Sequence, residues 1–201
     1  MTATAGDTVL AKPDPFRLRV LDGLDASIRE RGYRATTVAD IVRHARTSKR
    51  TFYDHFASKE ECFLELLRVE VEIMADDIRS AVDPDADWQV QTRQAVEGYV
   101  GSIESRPAIA LSWIRELPYL GDIARPVQRR GLDLLTSLLI NLSSSPGFQR
   151  ANLPPLTAPL AVILLGGLRE LVALAVEDGR PARDIVEPAV DASTALLGPR
   201  Y

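Results

Sequence analysis

The chain has 201 residues, of which 46% are hydrophobic, and a formal net charge of −4 at pH 7. This length suffices to bury a hydrophobic core in one or two small domains. The single cysteine, Cys62, excludes an intrachain disulfide and fits a reducing compartment. Residues 1–15 lack the basic start and the apolar run of a signal peptide, so we expect a cytoplasmic protein.

The first predicted helix begins at Asp14 and Pro15, where an N-cap residue precedes a proline, and it ends at Gly32. Its apolar residues share one helix face: Val20, Leu21, Leu24 and Ile28. We expect this helix to support the segment that follows it.

Residues 36–59, TTVADIVRHARTSKRTFYDHFASK, predict two short amphipathic helices separated by a turn. Thr37 is placed to cap the first helix, with Asp40 completing a capping box, and Ser48 is placed to cap the second. The second helix offers only Phe52 and Phe56 as core anchors, and its other side chains are polar or aromatic. This composition is typical of a helix-turn-helix whose second helix enters the DNA major groove.

The same region resembles the DNA-binding domain of TetR-family transcriptional regulators. The matching residues are Gly32, Tyr33, Thr36, Thr37, Val38, Ile41, Ala45, Ser48, Thr51, Tyr53, His55, Phe56, Ser58, Lys59 and Glu60. The departures from the family pattern are Val42, Arg46, Thr47, Arg50, Phe52 and Cys62. Arg46 replaces a turn glycine, so we expect it to adopt a left-handed backbone conformation at a cost of ~1 kcal/mol.

The resemblance implies a DNA-binding domain over residues 14–74, with the motif at about 37–56, and a ligand-binding and dimerisation domain over 75–201. It also implies a set of DNA contacts: Thr37, Arg46, Thr47, Ser48, Lys49, Arg50, Thr51, Tyr53, His55 and Lys59. Alternatives remain for several of these residues. Lys49 and Arg50 also fit a solvated basic face, Tyr53 and His55 fit ordinary packing, and Thr37 fits a cap alone.

The charge is distributed unevenly along the chain. Residues 15–59 carry ten Lys or Arg against five Asp or Glu, whereas residues 60–201 carry thirteen against twenty-one. The basic charge therefore coincides with the predicted DNA reader, and the acidic remainder discourages non-specific contact with DNA.

Downstream, Ser58 with Glu61 predicts a capping box for a fourth helix that ends before Asp83 and Pro84. Further helices are predicted at about 88–104, 108–117, 127–142, 159–177 and 185–197, with breaks that include 143–147. No long segment alternates as a strand would. The expected fold is all-α, with about nine helices: a three-helix helix-turn-helix domain and a C-terminal bundle that dimerises.

The resemblance further implies an effector that binds within the bundle and tilts the fourth helix. The two reading helices then no longer match the spacing of the DNA grooves. The residues proposed to line the effector pocket are Trp88, Tyr99, Trp113, Glu116, Tyr119 and Phe148, with Arg115 as an alternative polar anchor. Ordinary core packing is the alternative for each aromatic residue. This lining favours a mostly apolar effector, and no cofactor is expected.

Residues 158–177 are too apolar for one bundle face to bury, which indicates a partner surface. In the TetR family the last two long helices pair with their symmetry mates. The residues assigned to this interface are Leu160, Ile163, Leu164, Leu168, Leu171, Val172, Val190 and Leu197. A monomer core helix and a membrane span are the alternatives, and Arg169 with Glu170 argues against the span. A two-fold dimer implies a palindromic operator.

Other functional classes fit less well. The chain has no nucleophile elbow or phosphate-binding glycine loop, and both histidines lie in the reading motif, so we do not expect an enzyme. His44, His55 and Cys62 have no zinc-site spacing, and we expect no metal. The sequence predicts a homodimeric repressor released by a small effector. A helical interaction module without DNA binding, or a thiol-responsive regulator, is the alternative.

Overall fold

The computed structural model describes residues 14–199. Within that range the chain forms ten α-helices, two 3₁₀ helices and no strand, which confirms the all-α class. The α-helices are α1 (Pro15–Ala35), α2 (Val38–His44), α3 (Lys49–His55), α4 (Lys59–Ala81), α5 (Trp88–Ser105), α6 (Pro107–Arg115), α7 (Arg125–Leu142), α8 (Pro146–Arg150), α9 (Ala158–Glu177) and α10 (Val186–Leu197). The 3₁₀ helices span Leu117–Ile123 and Ala182–Ile185. The predicted lack of a signal peptide concerns residues that lie almost wholly outside this range.

Helices α1 to α3 and the first half of α4 share one hydrophobic core. Leu24, Ile41, Phe52, Phe63 and Leu67 are fully buried in it. Because all four helices contribute to the same core, Phe52 holds α3 against α1, α2 and α4.

The contact of α1 with α2 depends on a glycine. A Cβ atom at Gly23 would lie 2.6 Å from the carbonyl oxygen of Ile41 and 2.8 Å from the Cβ of Ala45. Only glycine therefore allows the two helices to approach this closely.

The turn between α2 and α3 has the backbone conformation expected from its sequence. Arg46 has a φ of 50°, in the left-handed region that favours glycine. The amide of Thr47 donates to the carbonyl of Val42 over 3.0 Å, which closes the turn. The arginine therefore adopts the left-handed conformation at a cost of about 1 kcal/mol.

Helix α4 connects this domain with the bundle. Its 23 residues span about 34 Å. Its first half packs in the core just described, whereas Ala75 and Ile78 pack in a second core with α5, α7, α9 and α10. A tilt of α4 would therefore affect both regions.

The predicted break at 143–147 is partly wrong, because α8 begins at Pro146. A proline fits the first turn of a helix, where its missing N–H has no intrahelical partner. The segment around Pro118 and Gly121 also winds into a 3₁₀ helix, with Gly121 at a φ of 60°. These short elements raise the helix number above the nine expected.

Candidate DNA-reading surface and ligand cavity

Helix α3 presents a polar face to solvent. It buries Phe52, and Phe56 directly follows it in the core. The hydroxyl of Ser48 accepts a hydrogen bond from the amide of Thr51 over 3.0 Å and so caps the helix as predicted. Tyr53, at 56% exposure, stands on the outer face with its ring edge against Phe52.

Three cations on this face have no partner within residues 14–199. Arg46, Lys49 and Arg50 are exposed, and none of their side chains forms a hydrogen bond or ion pair there. Unpaired cations at the first turn of α3 and in the preceding turn are free to contact an anionic partner. Ser48 and Thr37 are exposed beside them, whereas Thr47 and Thr51 are half-buried.

Other residues assigned to DNA are engaged within the protein. The ammonium of Lys59 donates to the carbonyls of Tyr33 (3.2 Å) and Thr36 (2.9 Å), which satisfies acceptors at the end of α1. Nδ1 of His55 lies 3.4 Å from the carboxylate of Asp14. Thr37 forms the expected capping box with Asp40. DNA contact by Lys59 and His55 stays a prediction that requires these side chains to move.

An ion-pair cluster joins α1 to α2 beside this surface. The carboxylate of Glu30 accepts hydrogen bonds from Arg31 and Arg43 and lies 2.8 Å from Nε2 of His44. Hydrogen bonds from Arg31 first, then from Arg43 and His44, lower the pKa of Glu30 to about 2. The sequence alone did not predict this cluster, because its members lie on different helices.

A cavity of about 1100 Å³ lies between α4, α5, α6, α7 and α9. Its wall is largely apolar, with residues that include Leu67, Met74, Ile103, Trp113, Leu132 and Leu135. Ligand sites commonly have volumes of about 300–1,000 Å³. The cavity therefore has room for a small effector, next to the helix that carries the DNA reader.

The predicted pocket residues are only partly brought together. Tyr99 and Trp113 line the large cavity. Phe148 lines a separate cavity of about 60 Å³, which Tyr99 also borders. Trp88 lines neither cavity and packs on Phe148 at 6.0 Å between ring centroids.

Glu116 and Tyr119 are not pocket residues, which corrects the prediction. Both face α1, where Nε of Arg34 donates to Glu116 over 2.7 Å and the guanidinium lies 4.7 Å from the centre of the Tyr119 ring. Arg115, the alternative anchor, pairs with Glu170 and Glu177. Trp113 and Pro118 of the same chain segment line the cavity, so this segment contacts both the cavity and the DNA-binding domain.

A second ion pair between helices lies in the cavity wall itself. Glu70 of α4 pairs with Arg106, which precedes α6, and both line the cavity. Burial raises the pKa of Glu70, and the nearby Arg106 opposes the rise. Displacement of Arg106 would leave a partly buried carboxylate on α4 without its counter-charge, which is costly.

Cys62 packs in the first core. Its side chain is fully buried, and burial raises the pKa of the thiol to about 12. Such a thiol is almost wholly protonated at neutral pH and therefore unreactive. Within residues 14–199, no three His, Cys, Asp or Glu side chains are grouped for a metal ion.

The residues assigned to the dimer interface fall into three groups according to their burial. Leu164, Val172 and Val190 are buried in the core of the single chain, so they are unavailable to a partner. Leu160, Leu168 and Leu197 are half-buried against the same cores. Ile163 and Leu171 are exposed, at 59% and 37%. Leu174 of the same helix, which was not assigned to the interface, is also exposed, at 46%. The unpartnered face of α9 is therefore narrower than expected.

Helix α9 is also the single helix of the described range that is long and apolar enough to cross a membrane. Arg169 and Glu170 lie in its middle, and Ala161 and Val172 are fully buried against the bundle. These contacts favour the packed helix expected from the sequence.

The family model for the bacterial regulatory proteins of the tetR family matches residues 20–66. The chain belongs to the tetR family. The matched residues contain all of α2 and α3 and the turn at Arg46, so the exposed face of α3 lies within the matched domain.

Curated tetR-family relatives include both repressors and activators. The repressor KstR2 of Mycobacterium tuberculosis is 40% identical over 80 residues, which cover 40% of each chain. The activator FasR of Mycolicibacterium smegmatis is 35% identical over 75 residues, which cover 37% of this chain and 34% of FasR. The matches thus span little more than a third of these relatives, which are transcriptional regulators and not enzymes.

The fold extends the likeness over more than nine-tenths of the chain. FadR of Bacillus subtilis, solved in complex with stearoyl-CoA, has a TM-score of 0.74 at 16% identity, covering 92% of this chain and 99% of that one. At this identity the likeness concerns the fold alone.

Proposed function

We propose that this tetR-family, DNA-binding regulator acts in the cytoplasm as a homodimeric repressor of a palindromic operator, and that a small, mostly apolar effector in the large cavity releases it. The observation that carries the proposal is the unpaired, exposed set of Arg46, Lys49 and Arg50 on the reading surface. Two such surfaces related by a two-fold axis would match two half-sites about one DNA turn, ~34 Å, apart.

The exposed face of α9 supports the homodimer. Ile163, Leu171 and Leu174 form an apolar stripe, and a Cβ atom added at Gly167 would meet no atom within 4 Å. A second copy would cover this stripe, and the open space at Gly167 would let two α9 helices approach closely.

The cavity supports the effector. Its apolar wall suits a mostly apolar molecule, and the fold neighbour FadR was solved with stearoyl-CoA. Effector binding would act on the reader through the Glu70–Arg106 pair on α4 and the Arg34–Glu116 pair on α1. A coupling of about 1–3 kcal/mol between the two sites would suffice for regulation.

The experiment is a selection of bound sequences from random DNA, followed by gel-shift titration of the selected sequence and of its isolated half-site. We expect a two-fold sequence, with tighter binding to the full site than to the half-site. The double variant Lys49→Ala, Arg50→Ala should bind the operator at least ~10-fold more weakly. The slope of its affinity with salt should fall by the amount expected for about two phosphate contacts, while the melting temperature stays nearly unchanged.

The control is Arg150→Ala with Arg180→Ala, which removes the same charge from exposed positions outside the reading surface. It should leave the affinity within ~2-fold of the wild type. A selection that yields no sequence, or equal losses in both double variants, would contradict the proposed function.

A further inference from the structure

Most cationic side chains in residues 14–199 are engaged by a carboxylate, a carbonyl or an aromatic ring. The five that form no such contact there are Arg46, Lys49, Arg50, Arg129 and Arg169. The first three lie on the DNA-reading surface. The other two line the large cavity, Arg129 from α7 and Arg169 from α9.

The cavity wall carries an excess of positive charge although the chain as a whole is acidic, at −4. Four arginines line it against two carboxylates, those of Glu70 and Asp133. Arg106 is paired with Glu70, and Arg125 is paired with Asp122, 3.1 Å away. Asp133 forms no ion pair with Arg129 or Arg169 in the described structure. Arg129 and Arg169 therefore line the cavity as exposed side chains that form no ion pair within residues 14–199.

The two arginines adjoin an apolar surface. Leu132 and Leu135 follow Arg129 along α7, and Val162 and Leu165 precede Arg169 along α9, and all four line the same cavity. Arg169 is close enough to Tyr99, in the cavity wall, to oppose the rise in the pKa of that phenol that burial causes. The cavity lining thus combines two unpaired arginines with apolar side chains.

We propose that Arg129 and Arg169 form an anion subsite that binds the carboxylate or phosphate head of an amphiphilic effector, whose hydrocarbon chain lies against the apolar wall. This proposal rests on the proposed function, since it concerns the effector of the same regulator. A guanidinium group presents paired N–H donors that match carboxylate and phosphate oxygens, and such charge-assisted hydrogen bonds are stronger than neutral ones.

The test measures binding of three compounds with the same hydrocarbon chain to the full-length protein by calorimetry at one ionic strength. The anions are used below their micelle concentrations and the uncharged compound below its solubility. They are dodecanoate, dodecyl phosphate and the uncharged methyl dodecanoate. The wild type should bind at least one of the two anions ~10-fold or more tightly than the ester. The anion with the higher affinity identifies the head group as a carboxylate or a phosphate.

The variant Arg129→Gln with Arg169→Gln should lose this preference and keep its affinity for the ester within ~2-fold. Its matched control is Arg130→Gln, which removes a neighbouring exposed cation on α7 that does not line the cavity, and which should keep the preference. Retained binding of the ester shows that the double variant is folded.

Three results would overturn the subsite: equal binding of anions and ester by the wild type, a preference that survives in the double variant, or no binding of any of the three compounds. Gel shifts on the same preparations separate this failure from that of the proposed function. If the protein binds its operator but shows no charge preference, only the proposed subsite is contradicted. If the protein binds no operator, the proposed function is contradicted.

Discussion

The helices of the DNA-binding region and those of the downstream bundle begin in different ways. Side chains of Asp14, Thr37, Ser48 and Ser58 accept a backbone N–H at the start of α1, α2, α3 and α4. None of the helices α5 to α10 has a side-chain hydrogen bond at its N-cap, and four of them have a proline at the first or second position. Local side-chain hydrogen bonds therefore fix where α1 to α4 begin, whereas the helices of the bundle begin without such bonds.

The two regions also differ in how tightly they are packed. Helices α1 and α2 meet at Gly23 with no room for a methyl group. The bundle has such contacts at Gly131 and Gly147 too, but it also contains a partly open cavity of about 1100 Å³. A rigid reader on an adaptable bundle suits a regulator, because a ligand can repack the bundle and shift the reader as a unit.

The largest expected contrast comes from one substitution made in each region. Gly23→Ala should lower the free energy of unfolding by about 1–3 kcal/mol, because its methyl group would meet the backbone of α2. Gly101→Ala, in α5, meets no atom within 4 Å and should raise that free energy by about 0.5–1 kcal/mol. Urea unfolding followed by circular dichroism measures both, and effects of the same sign would remove the contrast.

A smaller contrast is expected between two threonines at helix N-caps. Thr37→Ala removes a capping box and should cost about 1 kcal/mol of stability. Thr157→Ala, at the start of α9, removes a side chain with no cap hydrogen bond and should change stability by less than ~0.5 kcal/mol. Equal losses in thermal or urea unfolding would show that the two regions do not differ in local capping.

The smallest effect concerns the contact between the two regions. A double-mutant cycle on Arg34→Ala and Glu116→Ala should give a small favourable coupling in unfolding, and should change operator affinity or its response to effector by less than ~5-fold. The pair Arg93 and Glu187 joins α5 to α10 within the bundle and is the control. It should show a similar coupling in unfolding and no change in operator binding. If both pairs altered operator binding alike, Arg34–Glu116 would have no special role in transmission.

Much of the DNA-reading surface was predictable because its determinants are close in sequence. The caps at Thr37, Ser48 and Ser58 and the left-handed backbone of Arg46 follow from residues within a few positions of one another. The cavity was less predictable. Tyr99 and Trp113 were assigned to it, but Glu116 and Tyr119 contact α1 instead, because the 3₁₀ helix at Leu117–Ile123 directs this segment toward the DNA-binding domain.

The sequence by itself determined the family, the all-α class, the capped reading motif and its basic charge, since each depends on local spacing and composition. Only the tertiary structure decided which charged and apolar residues remain without a partner. It buried Leu164, Val172 and Val190, paired Arg115 with two glutamates, and left Arg129 and Arg169 unpaired at the cavity. Ion pairing and burial join residues that are distant in sequence, so they become visible only once the helices are packed.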